Sequence, residues 1–346
     1  MKRNVVQGLM LVALVAGAFL PSAAQANSGL QAYFNQVGLS QDDITAIRNG
    51  QPVAQNLDSR SPAEIFVFGA VYINAAPETY VKFASDFDRL RKVPEYLAIE
   101  RFSTPPQASD LKGFELDSDD IKALKDCEPG DCKLQLPAPT MEQLRQETNW
   151  SASDVDQQVN QFIQKLALQR VLAYQKQGNR ILGAVYNDKN QPTDVMSQFK
   201  YILSYGKAFP ASSSSLHNYL LSYPESKPAN AEDSIYWDSV KFGLKPTLRI
   251  VHVVTMRGNN PQEPAYAIAE KQLFASHYFE TALDLTYCIR SDDPKQPGFY
   301  LVMVMGSEQA GLTGFKGSMV RRMAVSKSVS SLKNSLGTIK AALEHH

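Results

Sequence analysis

Residues 317–343, GSMVRRMAVSKSVSSLKNSLGTIKAAL, set the strongest constraint on how this chain can fold. Val325, Val329, Leu332, Leu336, Ile339 and Leu343 recur at alternating spacings of four and three, which places all six on one stripe of an α-helix. The other faces carry Ser326, Lys327, Ser331, Lys333, Asn334 and Lys340. Such a helix is marginal alone in water and needs a broad apolar surface to lie on. The residues before it supply one. Residues 234–242, 247–257, 265–279, 281–291 and 298–306 are rich in β-branched and aromatic side chains with partial alternation, so they predict strands. Turn chemistry separates them, at Gly258, Asn259, Asn260 and Pro261 and again at Asp292, Asp293 and Pro294. The short gaps favour antiparallel neighbours.

The earlier chain divides in two. Residues 29–50 read as one or two short helices, with Ser40 capping residues 41–48, Asp43 in a box-like arrangement and Gly50 closing the turn. Residues 64–74 predict a strand with Ile65, Val67, Val71 and Ile73 on one face and Phe66, Phe68 and Tyr72 on the other, a pattern that implies burial on both sides. Pro77 opens a helix over 78–90, and residues 96–102 predict a second strand. Residues 103–230 change character and read as a mostly helical insertion. Helices are expected over 118–124, over 140–147 with Thr140 and Gln143 as a capping box, and from a cap at Ser151 or Ser153 to residue 177, where Gly178 ends it. Two more are expected over 193–205 and 213–222, with a brief strand at 133–136.

This order of strand, helix, long insert, antiparallel strands, glycine loop and terminal helix resembles the START-like helix-grip superfamily. Residues 66–90, FVFGAVYINAAPETYVKFASDFDRL, and residues 310–343, AGLTGFKGSMVRRMAVSKSVSSLKNSLGTIKAAL, carry the resemblance. It implies an α+β fold in which a curved antiparallel sheet grips the long C-terminal helix. The domain would comprise 64–102 and 231–343, behind an N-terminal helical cover over 27–63 and split by the helical insertion over 103–230. It also implies an apolar cavity between sheet and helix for a sterol, phospholipid, fatty acyl chain, carotenoid or polyketide. Tyr300, Leu301, Val302, Met303, Val304 and Met305 form an apolar run suited to such a wall, and methionines adapt to irregular guests; the same residues would equally fill a core. The expected ligand-binding residues are Ser276, Tyr278, Glu280, Tyr300, Met303, Met305, Phe315 and Arg321. Phe315 belongs to a loop whose glycines, Gly311 to Gly317, would serve as pivots or as a plain connection. Arg321 and Arg322 would meet a phosphate or carboxylate headgroup, or form a solvated face.

The first residues read as a secretory signal: Lys2 and Arg3, an apolar run over 9–20, and an A-x-A site at Ala24, Gln25 and Ala26, with cleavage before Asn27. The expected compartment is a periplasm. Residues 344–346 read as a tag remnant. Without Lys2 and Arg3 the chain has 33 basic and 35 acidic residues, so nothing suggests a nucleic-acid partner. Cys127 and Cys132 flank the turn sequence Glu-Pro-Gly-Asp and are expected to form a disulfide, whereas Cys288 lies in an apolar strand as a buried free thiol. The stretch Gly311 to Ser318 is not a P-loop, because Lys316 precedes Gly317 instead of preceding a hydroxyl residue. No catalytic residue, metal or cofactor is assigned.

Three functions follow. The first is a periplasmic binding or carrier protein for a hydrophobic small molecule or lipid. The second is a cyclase- or hydrolase-type enzyme using the same cavity, with His277, Tyr278 or Glu280 as acid or base. The third is an interaction module whose helical insertion docks a membrane or membrane-protein partner.

Overall fold

Alternation along each strand decides where the sheet sits. β2 (Glu64–Ile73) is buried along its whole length, because Ile65, Val67, Val71 and Ile73 enter one core and Phe66, Phe68, Ala70 and Tyr72 another. With β1 (Val53–Leu57), β3 (Tyr96–Arg101), β6 (Ala231–Lys241), β7 (Pro246–Arg257), β8 (Tyr266–Ala275), β9 (Phe279–Arg290) and β10 (Phe299–Gln309) it forms an antiparallel sheet of eight strands, in the order β1-β2-β10-β9-β8-β7-β6-β3. The two-residue strands β4 (Ala184–Val185) and β5 (Thr193–Asp194) pair separately. The computed structural model describes residues 23–186, 191–204, 214–242 and 245–345. The fold is α+β, as the strand-rich end and its helix predict.

Helices cover both faces. On one lie α3 (Pro77–Ala84), α4 (Phe87–Leu90) and the terminal helix α10 (Gly314–Glu344). The other is packed by α1 (Ala23–Gln36) and α2 (Gln41–Arg48), together with α5 (Ser118–Leu124), α6 (Ala138–Glu147), α7 (Val155–Gln177), α8 (Val195–Ser204) and α9 (Ser214–Ser222) from residues 103–230. The α10 stripe faces the sheet as its spacing requires: Leu332, Leu336 and Leu343 are buried, and Val325, Val329 and Ile339 pack on the same core. Gly69 of β2 makes the close approach. A Cβ there would stand 2.8 Å from Leu336 and 2.9 Å from Leu332. The helix runs parallel to β2, with Arg321 bonded to the carbonyls of Pro62 and Glu64 at one end and the Glu344 carboxylate accepting from the Asn74 N–H at 2.7 Å at the other.

Several local expectations are corrected. The N-terminal cover contains β1, which its sequence VAQNL hides because only pairing with β2 makes it a strand. The helix over 78–90 breaks at Ser85 and Asp86, where the Asp86 carboxylate accepts from the Arg89 N–H and starts α4. Thr140 caps nothing: Pro137 and Pro139 preset the backbone, so α6 begins at Ala138. Neither Ser151 nor Ser153 caps α7, which starts after Asp154. Between 133 and 136 only Leu136 pairs, with Tyr186. α10 starts three residues earlier than its sequence pattern, inside the glycine loop. The Cys127–Cys132 disulfide is formed, and Cys288 is free and buried. The apolar run over 9–20, together with Tyr205 and Ser213, lies outside the described residues.

Candidate functional site

α10 packs on β1 and β2, α3 on β9 and α4 beside Tyr236, and between them part of this side of the sheet is only half-buried. The two sheet faces therefore differ. Met303, Asp284, Glu270, Val253 and Ser234 point to the α10 side and are half-buried, while Val302, Leu285, Ala269 and Val254, one residue away in each strand, are buried on the other face. Met305, also on the α10 side, is 37% exposed. This half-buried row is the floor of a candidate cleft between α10 and strands β10 to β7. At one end it is bridged by Lys327, whose Nζ donates to the Phe242 carbonyl at 3.5 Å; the Phe242 ring lies 4.9 Å from that of Phe279.

The strand register builds the cleft floor. One row runs Val67, Met305, Asp284, Glu270, Val253 and Ser234 across six strands. Directly opposed residues on one face have Cβ atoms about 5 Å apart, so Asp284 and Glu270 are two carboxyl groups in contact range. Tyr236 donates its hydroxyl to Glu270 Oε2 at 2.9 Å. Arg249, beside them, forms a bidentate pair with buried Asp238 at 2.9 and 2.5 Å. Tyr80, from α3, is hydrogen-bonded to Thr286 in the next row. Asp284 forms no hydrogen bond or ion pair among the described residues.

Electrostatics follow from that placement. Burial, and then the neighbouring Glu270, push Asp284 up to about 7. Burial also raises Glu270, although the Tyr236 hydroxyl and the Arg249 guanidinium oppose it. Near neutral pH the pair holds a proton and can both donate and accept. Set in a floor of Met303, Met305 and Val253, it suits a molecule that is apolar along its length and bears a hydroxyl or amine head.

The opposite face holds a second polar arrangement, buried under the helical layer. His252 Nε2 lies 2.9 Å from Asp233 Oδ1, and His252 Nδ1 lies 2.9 Å from the Tyr174 hydroxyl. Lys271 Nζ donates to that hydroxyl at 3.1 Å and to Asn179 Oδ1. Carboxylate and ammonium fix the directions: Nε2–H donates to Asp233, and Tyr174 donates to Nδ1. Burial depresses Lys271 to about 7. Burial opposes ionised Asp233, but hydrogen bonds from His252 and Lys227 outweigh it and hold the group down to about 2. These residues tie α7 to β6, β7 and β8.

The expected site residues separate. Met303 and Met305 lie on the α10 side of β10. Tyr300 does not; it faces the other layer, with its ring against Phe34 and Tyr72. The apolar run over 300–305 alternates, so only every second residue reaches the cleft. Ser276 is buried, and its hydroxyl accepts from the Leu248 N–H at 3.0 Å. Glu280 accepts from Thr193 Oγ1 at 3.0 Å beside a crevice of about 20 Å³, too small for a lipid. Tyr278 has φ +62° in the β8–β9 turn and accepts from the Lys245 N–H at 2.9 Å. His277 is buried against Asp120 at 2.7 Å, so His277, Tyr278 and Glu280 do not converge. Arg321 is bonded to the Pro62 and Glu64 carbonyls and the Ser59 hydroxyl, which occupies it as an anchor. Phe315 is 95% exposed at the start of α10.

Sequence reasoning missed Asp284, Glu270, Tyr236 and Arg249. The available signal was an acid interrupting each of two apolar strands, in ALDLT and AIAEK. A separate depression of about 320 Å³, lined by Tyr219, Asn230, Met256 and Glu263, touches none of these four. Among known proteins, no family model matches this chain and no curated protein is similar to it.

Proposed function

We propose that the protein binds a hydrophobic small molecule of the lipid class in the cleft between α10 and the sheet, and carries it in a periplasm. The half-buried row on the α10 side is the observation that carries this reading: Met303, Met305 and Val253 share it with an unpaired carboxyl group, Asp284, and Glu270. The strand order supports a START-like helix-grip assignment. From β2, the opening strand pairs with the last, and the rest follow in descending order to β3. The Cys127–Cys132 disulfide supports an oxidising compartment.

Native mass spectrometry and solvent extraction of the purified chain test the reading. The expected result is a co-purified apolar molecule bearing a hydroxyl or amine, displaced in Met303→Trp. A chain that yields no such molecule and takes up no fluorescent sterol or acyl probe overturns it. The raised Asp284 beside Glu270 favours one second reading, acid–base chemistry of the cyclase or hydrolase type on the same guest. In that case Asp284→Asn retains the guest and loses its turnover.

A further inference from the structure

α10 begins before the sheet does. Arg321 is the first of its residues held by the β2 end of the sheet, through Pro62, Ser59 and Glu64. At 1.5 Å per residue the helix therefore starts roughly 10 Å ahead of that anchor. In this segment Phe315 is 95% exposed, Met319 67% and Met323 62%. Their spacing of four puts them on one stripe, about a third of a turn away from the Leu332 and Leu336 side. Exposed Lys316 and Arg322 flank that stripe, one on each side, and α10 carries no acidic residue before Glu344. Three large apolar side chains held together in water on one convex ridge are a liability unless something covers them.

We propose that this end of α10 docks the protein on an anionic phospholipid bilayer. Phe315, Met319 and Met323 enter the interface, and Lys316 and Arg322 meet the headgroup phosphates. The charge pattern selects the occupant: cations on both flanks of an apolar stripe match a negative surface with hydrocarbon just beneath it. The shape agrees. A protruding convex ridge of flexible side chains suits a deformable fluid surface. No helix of the described residues is long and apolar enough to cross a membrane. The proposal stands on the exposed ridge and does not require a guest in the cleft.

Vesicle co-sedimentation of the full chain tests it, comparing phosphatidylcholine alone with a mixture containing phosphatidylglycerol. The expected result is binding to the anionic vesicles, weakened by salt. It should fall at least ~tenfold in Phe315→Ser/Met319→Ser/Met323→Ser and in Lys316→Gln/Arg322→Gln. Both variants alter exposed side chains, and unchanged thermal unfolding verifies that they fold. No pelleting of the wild type, or equal pelleting of the serine variant, overturns the proposal. So does a wild-type dimer in sedimentation velocity that the serine variant abolishes, because a second copy then covers the ridge. Lipid extraction from the serine variant separates this outcome from the carrier reading, which predicts that the guest is retained.

Discussion

In the unfolded chain Asp284 ionises near 3.8, whereas in the cleft it keeps its proton to about 7. Between those values the folded state binds more protons than the unfolded state, so this group lowers stability as pH rises from about 4 to about 7. Asp284→Asn is expected to raise stability at pH 8 by about 1–2 kcal/mol, a figure discounted for partial exposure, and to flatten the urea midpoint across that window. Lys271 has the opposite slope. Its folded value of about 7 lies below the ordinary 10.5, so the unfolded chain binds the extra proton and stability rises with pH between them. The Tyr174 hydroxyl joins Lys271 to His252, and both lie in a buried layer. Tyr174→Phe should cost about 1–3 kcal/mol in urea unfolding while leaving the ring packing intact.

At the scale of elements, the close of α7 shows how one backbone position supports a side-chain network. Gly178 has φ +61° and ψ −140°, and a Cβ there would stand 1.8 Å from the Tyr223 carbonyl oxygen. The next residue, Asn179, bonds Lys271 through its side chain and α9 through the carbonyls of Leu220 and Leu221. Gly178→Ala is expected to cost more than about 3 kcal/mol, measured as a fall in thermal unfolding temperature with loss of helical signal. The sequence marked this glycine as a helix stop but not as a contact point. Periodic features were legible throughout: the α10 stripe, both faces of β2 and the five C-terminal strands all follow from local spacing. The site was not, because Asp284 and Glu270 become neighbours only through the β8–β9 register. That register depends on a turn in which Tyr278 takes a backbone conformation usually left to glycine or asparagine. Assigning Ser276, Glu280 and Tyr300 to the cleft failed for the same reason, since a one-residue shift exchanges the faces.

Across the whole molecule, two carboxylates fasten the helical layer to the sheet. Asp233 links β6 to β7 through His252 and to α9 through Tyr219. Asp120, on α5, reaches His277 and Lys245; burial opposes its ionised form, but those partners hold it below its ordinary value. A depressed carboxylate contributes stability above its unfolded value and loses it as pH falls through its folded one. For Asp233 that window runs from about 4 down to about 2. Acidification across it should loosen the helical layer, and the fluorescence of buried Trp237, which packs on Phe114, should report the change. In Asp233→Asn the transition should lose much of its pH dependence.

The sheet order also governs when the molecule can be finished. β2, buried on both faces, pairs along its full length with β10, a strand from the far end of the chain, and the helix that seals one of those faces comes later still. During synthesis the early segments therefore emerge without their principal partner, and contacts of such high sequence separation form slowly. Until the last strand and helix appear, β2 has neither its β10 partner nor the cover of one of its faces.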